Sequence, residues 1–168
     1  MKIIKLLYAF YFCTIILGFN ACDLTEDLDP DGTAVEEMAG DWFIKIYAGD
    51  VSNDNLLSPS YFRISTYNTS ANLPTELWID DHEAWPLKAI VPVNIQSLTF
   101  IQGDAGTNEY DDSVTATVQG GQIWDDAVVA ASGTTTDSIQ IRFSFSDFPD
   151  SEVIYAGYRR TGFPEDEH

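Results

Sequence analysis

From residue 41 onward, apolar side chains recur at every second position rather than every third or fourth, the spacing of strands and not of helices. Trp42, Ile44 and Ile46 share one face of the first run, and Phe62, Ile64 and Thr66 share a face of 61–67. Further strands are predicted at 77–79, 90–95, 98–101, 114–118, 122–129 and 153–160, and Ile139, Ile141, Phe143 and Phe145 mark the most regular alternation. Gly, Pro, Asn, Asp and Ser cluster between the runs, with Gly120-Gly121 reading as a turn and 103–112 as a loop. Eight or nine short strands, with no helical pattern of similar strength and no fixed repeat, predict an all-β barrel or sandwich.

The two ends of the patterned region favour the barrel. The run 39–47 opens with Gly40 and Trp42, a Gly-x-Trp start that resembles the first strand of lipocalin-like barrels, and the chain closes on Gly157-Tyr158-Arg159-Arg160. First and last strands are neighbours in a closed ring, so the indole and a guanidinium can stack across the barrel floor. Alternation places Gly157 and Arg159 on one face and Tyr158 and Arg160 on the other, so one arginine faces inward. Thr33-Ala34-Val35-Glu36 has capping-box spacing and predicts a short helix through Met38, ended by Gly40, that plugs the ring. The expected fold is therefore a lipocalin-like antiparallel β-barrel of eight to nine strands with a short N-terminal helix.

The first 21 residues read as a lipoprotein signal peptide: Lys2 and Lys5 form a positive start, 6–17 is apolar, and Ala21 precedes Cys22. A small residue and cysteine after an apolar core resemble a bacterial lipobox, although Phe19 stands where leucine is usual. Cys22 is thus the expected lipidation site, and Cys13 leaves with the leader, so no intrachain disulfide forms. Residues 22–33 are an acidic flexible tether and 34–168 the barrel domain. The expected location is the bacterial outer membrane, lipid-anchored. The acids after Cys22 resemble a Bacteroidetes surface-export signal, and a solvated linker explains the same residues, so the cell surface is the leading expectation and the periplasmic face the alternative.

Charge changes the picture of partners. The chain carries 27 Asp and Glu against 8 Lys and Arg, and loss of Lys2 and Lys5 takes the formal charge from −19 to about −21. Such a field repels phosphate backbones and excludes nucleic acid as a partner.

Four tryptophans, eight tyrosines and ten phenylalanines exceed the needs of a small core, and several strands carry apolar bulk on both faces. A wall for a lipid or other apolar small molecule would use them, with Trp42, Phe62, Tyr67, Trp78, Phe143, Tyr158 and Arg159 as candidate ligand-binding residues. A thick packed core accounts for the same residues. The remaining cations include Arg63 and Arg142, which alternate against apolar neighbours and so face solvent. An inward arginine either holds an anion such as a fatty-acid carboxylate or stacks on Trp42.

Asp80-Asp81-His82-Glu83 gathers acids and an imidazole, so Asp80, Asp81 and His82 are the candidates for acid–base chemistry in a weak hydrolase. Neighbours in a loop point apart, and no nucleophile, base and orienting group can be assembled from sequence. Asp104, Asn108, Asp111 and Asp112 lack the spacing of the helix-loop-helix calcium motif, and a flexible hairpin loop explains them. Neither a metal nor a cofactor is expected.

The order Gly40-Asp41-Trp42, Tyr67-Asn68-Thr69, Leu77-Trp78-Ile79-Asp80-Asp81 and the ending Gly157-Tyr158-Arg159-Arg160-Thr161-Gly162-Phe163, followed by Glu165-Asp166-Glu167-His168, resembles the Bacteroidetes lipid-binding putative hydrolases. The resemblance implies a calycin-type barrel behind a lipoprotein signal and an apolar ligand. The hydrolytic half of that description finds no support in these residues. A non-catalytic binder is the leading expectation, with a weak hydrolase or an accessory surface lipoprotein contacting glycan or protein as alternatives.

Overall fold

A computed structural model describes residues 32–168. The expected signal peptide, Cys22 and nearly all of the tether lie outside the described residues. Nine strands follow in order: β1 (Gly40–Ala48), β2 (Phe62–Tyr67), β3 (Glu76–Asp80), β4 (Lys88–Asn94), β5 (Thr99–Phe100), β6 (Gly103–Asp104), β7 (Ala116–Val129), β8 (Thr135–Phe145) and β9 (Phe148–Arg159). Strands β1 to β5 pair in sequence, β5 meets β7, and β7, β8 and β9 lead back to β1, all antiparallel. This is a closed ring of eight strands, with β6 added beside β7. The all-β barrel read from the alternation is what the chain forms.

The seam between first and last strand sets Trp42 opposite Arg159 and Ile44 opposite Gly157. A side chain at Gly157 would place its Cβ 1.9 Å from the Phe43 carbonyl oxygen, so glycine is what lets the two strands approach. Because β5 is only two residues long, main chain beyond β6 completes the wall. The Gly106 amide donates to Ile90 O at 2.7 Å, the Glu109 amide to Lys88 O at 2.8 Å and the Ala105 amide to Ala116 O at 3.1 Å.

Three expectations need correction. The N-terminal helix is a single 3-10 turn, Glu36–Met38, with no side-chain cap. The Thr33 carbonyl, not its hydroxyl, takes the Glu36 amide, because the chain must turn into β1 after one revolution. It still seals that end, with Val35 and Met38 fully buried. The Gly120-Gly121 turn is instead the interior of β7, which unites the predicted 114–118 and 122–129 runs from Ala116 onward across a bulge. Gly120 has φ of 136°, and a Cβ on Gly121 would lie 2.6 Å from Gln140 O, so the pair bends a strand rather than ending it. Within the predicted loop 103–112, β6 pairs with β7.

Inward residues pack upon one another, with Trp42, Tyr155 and Phe143 the largest fully buried side chains. Each such burial contributes about 1.5–3 kcal/mol. Beyond β9 the tail folds back: Asp166, buried in a 3-10 turn, accepts the Ser132 amide at 2.7 Å and the Ser132 hydroxyl at 2.6 Å, tying the tail to the β7–β8 turn.

Candidate functional site at the barrel mouth

At the floor, Arg159 points inward with its guanidinium carbon 4.5 Å from the centre of the Trp42 ring. Its Nη1 donates to Ala39 O at 2.6 Å, Nη2 to Glu37 O at 2.9 Å and Nε to Asp137 Oδ2 at 2.8 Å. A Cβ on Gly40 would meet Nη1 at 2.8 Å, which gives the Gly-x-Trp start a physical reason: glycine clears the space and tryptophan supplies the face. The indole donates to Thr66 Oγ1 at 2.9 Å, and that hydroxyl donates to Met38 O at 2.6 Å. Arg159 is therefore engaged by carbonyls, a carboxylate and a ring, which leaves it no role as an anion receptor inside the ring.

At the mouth, the β3–β4 loop is organised from within by Asp81. This fully buried carboxylate accepts the amides of Glu83, Leu87 and Trp85 at 3.1, 2.9 and 2.9 Å and the Tyr155 hydroxyl at 2.7 Å. Burial pushes the Asp81 carboxyl up from its ordinary value, against the pull of these four donors. Tyr155, also fully buried, is pushed well up by burial and by the carboxylate beside it.

The same loop presents Trp85, half-buried, to the rings of Phe148 at 5.4 Å and Phe145 at 6.4 Å. Trp85 and Phe145 border a cleft of about 280 Å³, lined also by Ala84, Pro86 and Val114, with Asp111 and Asp147 on its wall. That volume lies just below the roughly 300–1,000 Å³ range of small-molecule sites, room for one end of an apolar chain.

On the outer face, one row crosses four strands: Asp41 lies opposite Ser65, Ser65 opposite Asp80, and Asp80 opposite Lys88. Asp80 accepts the Tyr110 hydroxyl at 2.6 Å and the His82 amide at 3.0 Å, and pairs with Lys88 Nζ at 3.1 Å. Burial would raise its carboxyl, but Tyr110, the His82 amide and Lys88 together hold it below the usual value. His82 Nε2 stands 2.9 Å from Ser65 Oγ, and its Nδ1 3.5 Å from Asp80 Oδ1. Ser65 donates to Asp41 Oδ1 at 2.6 Å. The structure thus brings together a hydroxyl, an imidazole and a carboxylate that sequence reading left unassembled.

The predicted ligand-binding residues do not share one cavity. Trp42 and Phe143 lie in the core, and Phe62 packs against it. Tyr67 and Trp78 stack on the outer wall with centroids 6.4 Å apart, and Tyr158 sits outside, edge-on to Phe43 at 6.2 Å. Asp80, Asp81 and His82 do meet at one end, but Asp81 turns inward while the other two turn out. Sequence reading missed Ser65, Trp85 and Tyr155. Strand register would have found Ser65, two positions from Tyr67 on the face opposite Ile64. Asn108 is occupied with backbone, accepting the Lys88 amide and donating to Pro86 O. Among the described residues no three His, Cys, Asp or Glu side chains gather as they would around a metal ion.

Residues 27–164 match the family of lipid-binding putative hydrolases. The chain belongs to that family. The match takes in every strand of the barrel, both the Trp42–Arg159 floor and the Asp81–Tyr155 mouth. No curated protein matches the chain.

Proposed function

We propose that this family member is a lipid-anchored protein of the bacterial envelope that binds an apolar or amphipathic small molecule at the mouth of its barrel. The observation that carries the reading is the cleft beside Trp85, Val114 and Phe145, an apolar hollow with two carboxylates, Asp111 and Asp147, on its wall. Membership of a lipid-binding family supports the same ligand class. The two acids repel a fatty-acid carboxylate, and Arg159, the inward guanidinium, is already held by Asp137 and two carbonyls. The ligand is therefore an acyl or alkyl chain with a neutral or amine head group, one end of the chain against Trp85.

Titration with monododecanoylglycerol, dodecylamine and dodecanoate, followed by isothermal calorimetry, tests this. The first two should bind at least tenfold more tightly than dodecanoate, and Trp85→Ala should weaken them about tenfold, the equivalent of roughly 1.4 kcal/mol of lost contact. Binding that prefers dodecanoate, or that ignores Trp85→Ala, overturns the reading.

The anchor belongs to the same proposal. A leader over 1–21, lipidation at Cys22 and a tether over 22–33 would hold the barrel at the outer membrane, on the cell surface or its periplasmic face. Metabolic labelling with an alkyne fatty acid should tag the wild type and leave Cys22→Ala untagged and released by a detergent-free wash.

A further inference from the structure

We infer that Ser65, His82 and Asp80 form a nucleophile, a base and its orienting carboxylate that transfer an acyl group from small esters to water. The three are placed by strand register and one strained loop. Ser65 and Asp80 face each other across β2 and β3, and alternation sends both outward while Ile64, Thr66 and Ile79 go in. His82 follows Asp80 by two residues in a left-handed conformation, φ 52°, and Glu83 continues it at φ 67°. Such backbone in non-glycine residues costs free energy and persists only where its surroundings impose it. Here the imposition comes from Asp81, whose carboxylate holds the Glu83, Trp85 and Leu87 amides. The turn folds the imidazole back over β2, with Nε2 2.9 Å from Ser65 Oγ and Nδ1 3.5 Å from Asp80 Oδ1. The first distance is that of a nucleophile and its base.

Ser65 now donates its hydrogen to Asp41, so attack requires the hydroxyl to turn from Asp41 to His82. Oγ then bonds to the acyl carbon as Nε2 takes its proton. The bond from that carbon to the alkoxy oxygen breaks, and the leaving alcohol receives the proton from Nε2. Water, losing a proton to Nε2, attacks the acyl-serine in turn, the carboxylic acid departs, and Oγ regains its hydrogen. Asp80 touches no reacting atom and is a positioning residue. The Ser65 amide lies within the ladders of β1 and β3, and Lys88 Nζ in the same row is paired with Asp80 at 3.1 Å, so neither is free to stabilise the charge that develops on the acyl oxygen. Turnover is accordingly slow and confined to activated esters. This site lies on the outer face and shares with the mouth cleft only the loop that Asp81 holds, and a water-soluble ester separates the two readings.

The test is p-nitrophenyl acetate hydrolysis and fluorophosphonate labelling of the full chain, with the labelled peptide mapped by mass spectrometry. Label should fall on Ser65 and vanish in Ser65→Ala, and His82→Gln should lower kcat/KM about 100-fold. Asp41→Ala should raise the rate severalfold by removing the acceptor that competes for the serine hydrogen. Asp80→Asn should lower kcat with little change in KM and displace the pH–rate profile. Equal melting temperatures for wild type and Ser65→Ala show that lost activity is not lost fold. As a second route, Ser65→Cys should react with iodoacetamide faster than the same substitution combined with His82→Gln. Label on another residue, or equal rates in wild type and His82→Gln, overturns the assignment.

Discussion

The floor and the mouth of this barrel each place one ionic side chain at the end of the ring, and they hold it with opposite kinds of partner. At the floor the Arg159 guanidinium donates to carbonyls of residues 37 and 39 and to Asp137, which belong to the segment before β1 and to β8. At the mouth the Asp81 carboxylate accepts three amides from its own loop and a hydroxyl from β9. A charge that ties separate segments together closes an end. Asp81 spends three of its four bonds on its own loop and makes one bridge, to Tyr155 of β9, and beside that loop the cleft at Trp85 opens. The difference explains why one end of the same ring is a plug and the other a candidate site.

Removing the mouth anchor should have the largest effect. Asp81→Ala leaves the Leu87 amide and the Tyr155 hydroxyl without their acceptor in a buried place, and the part-buried Glu83 and Trp85 amides without theirs. With about 1–3 kcal/mol for each of the two buried groups left unpaired, the loss should be about 3 kcal/mol or more. Tyr155→Phe removes one donor alone and should cost about 1 kcal/mol. Chemical denaturation followed by far-ultraviolet dichroism measures both. Equal losses for the two would show that the loop amides find other partners and that Asp81 does not organise the mouth.

The floor should prove less sensitive, because Arg159 is part-exposed and its partners can turn to water. Arg159→Lys keeps the charge but gives up the planar face over Trp42 and the fork to Ala39 and Glu37, at a cost of about 1–2 kcal/mol. Gly40→Ala approaches the same contact from the other side. Its added Cβ would stand 2.8 Å from Nη1, and displacing the guanidinium should cost about 1 kcal/mol. If the two costs add fully in the double variant, the residues do not act on one contact.

Much of this contrast was legible in the sequence, and the rest was not for identifiable reasons. Period-two alternation located the strands, and the pairing of Trp42 with an inward arginine followed from ring closure alone. The capping-box residues Thr33 and Glu36 are present, yet a plug of one turn uses backbone where a longer helix would use side chains. Gly120-Gly121 has the local composition of a turn, and only the closeness of the Gln140 carbonyl shows that it serves a bend inside β7. Apolar bulk on both strand faces was read as a cavity wall, whereas Trp42 and Phe143 fill the core and Tyr67 and Trp78 stack outside it. Adjacent acids such as Asp80 and Asp81 look alike in a sequence, and alternation sends them to opposite sides of the wall.

Those two carboxylates give the smallest predicted effect and the one that most sharpens the comparison. Asp80 is held below its ordinary value of 3.8, so its contribution to stability is present above that value and is lost as pH falls through the lower, folded one. Asp81 is raised above 3.8, so its contribution is present below that value and is lost as pH rises through the higher, folded one. Substitution should therefore change the slope of stability with pH in opposite windows. Asp80→Asn should flatten the acid limb below pH 3.8, and Asp81→Asn should remove a decline above it, whatever each does to stability at neutral pH. Melting temperatures across pH 2–7 read both slopes, against about the same acid background from the remaining carboxylates. A common change of slope in both variants would mean that the two side chains share one environment, and the division into an outward row and an inward anchor would fail with it.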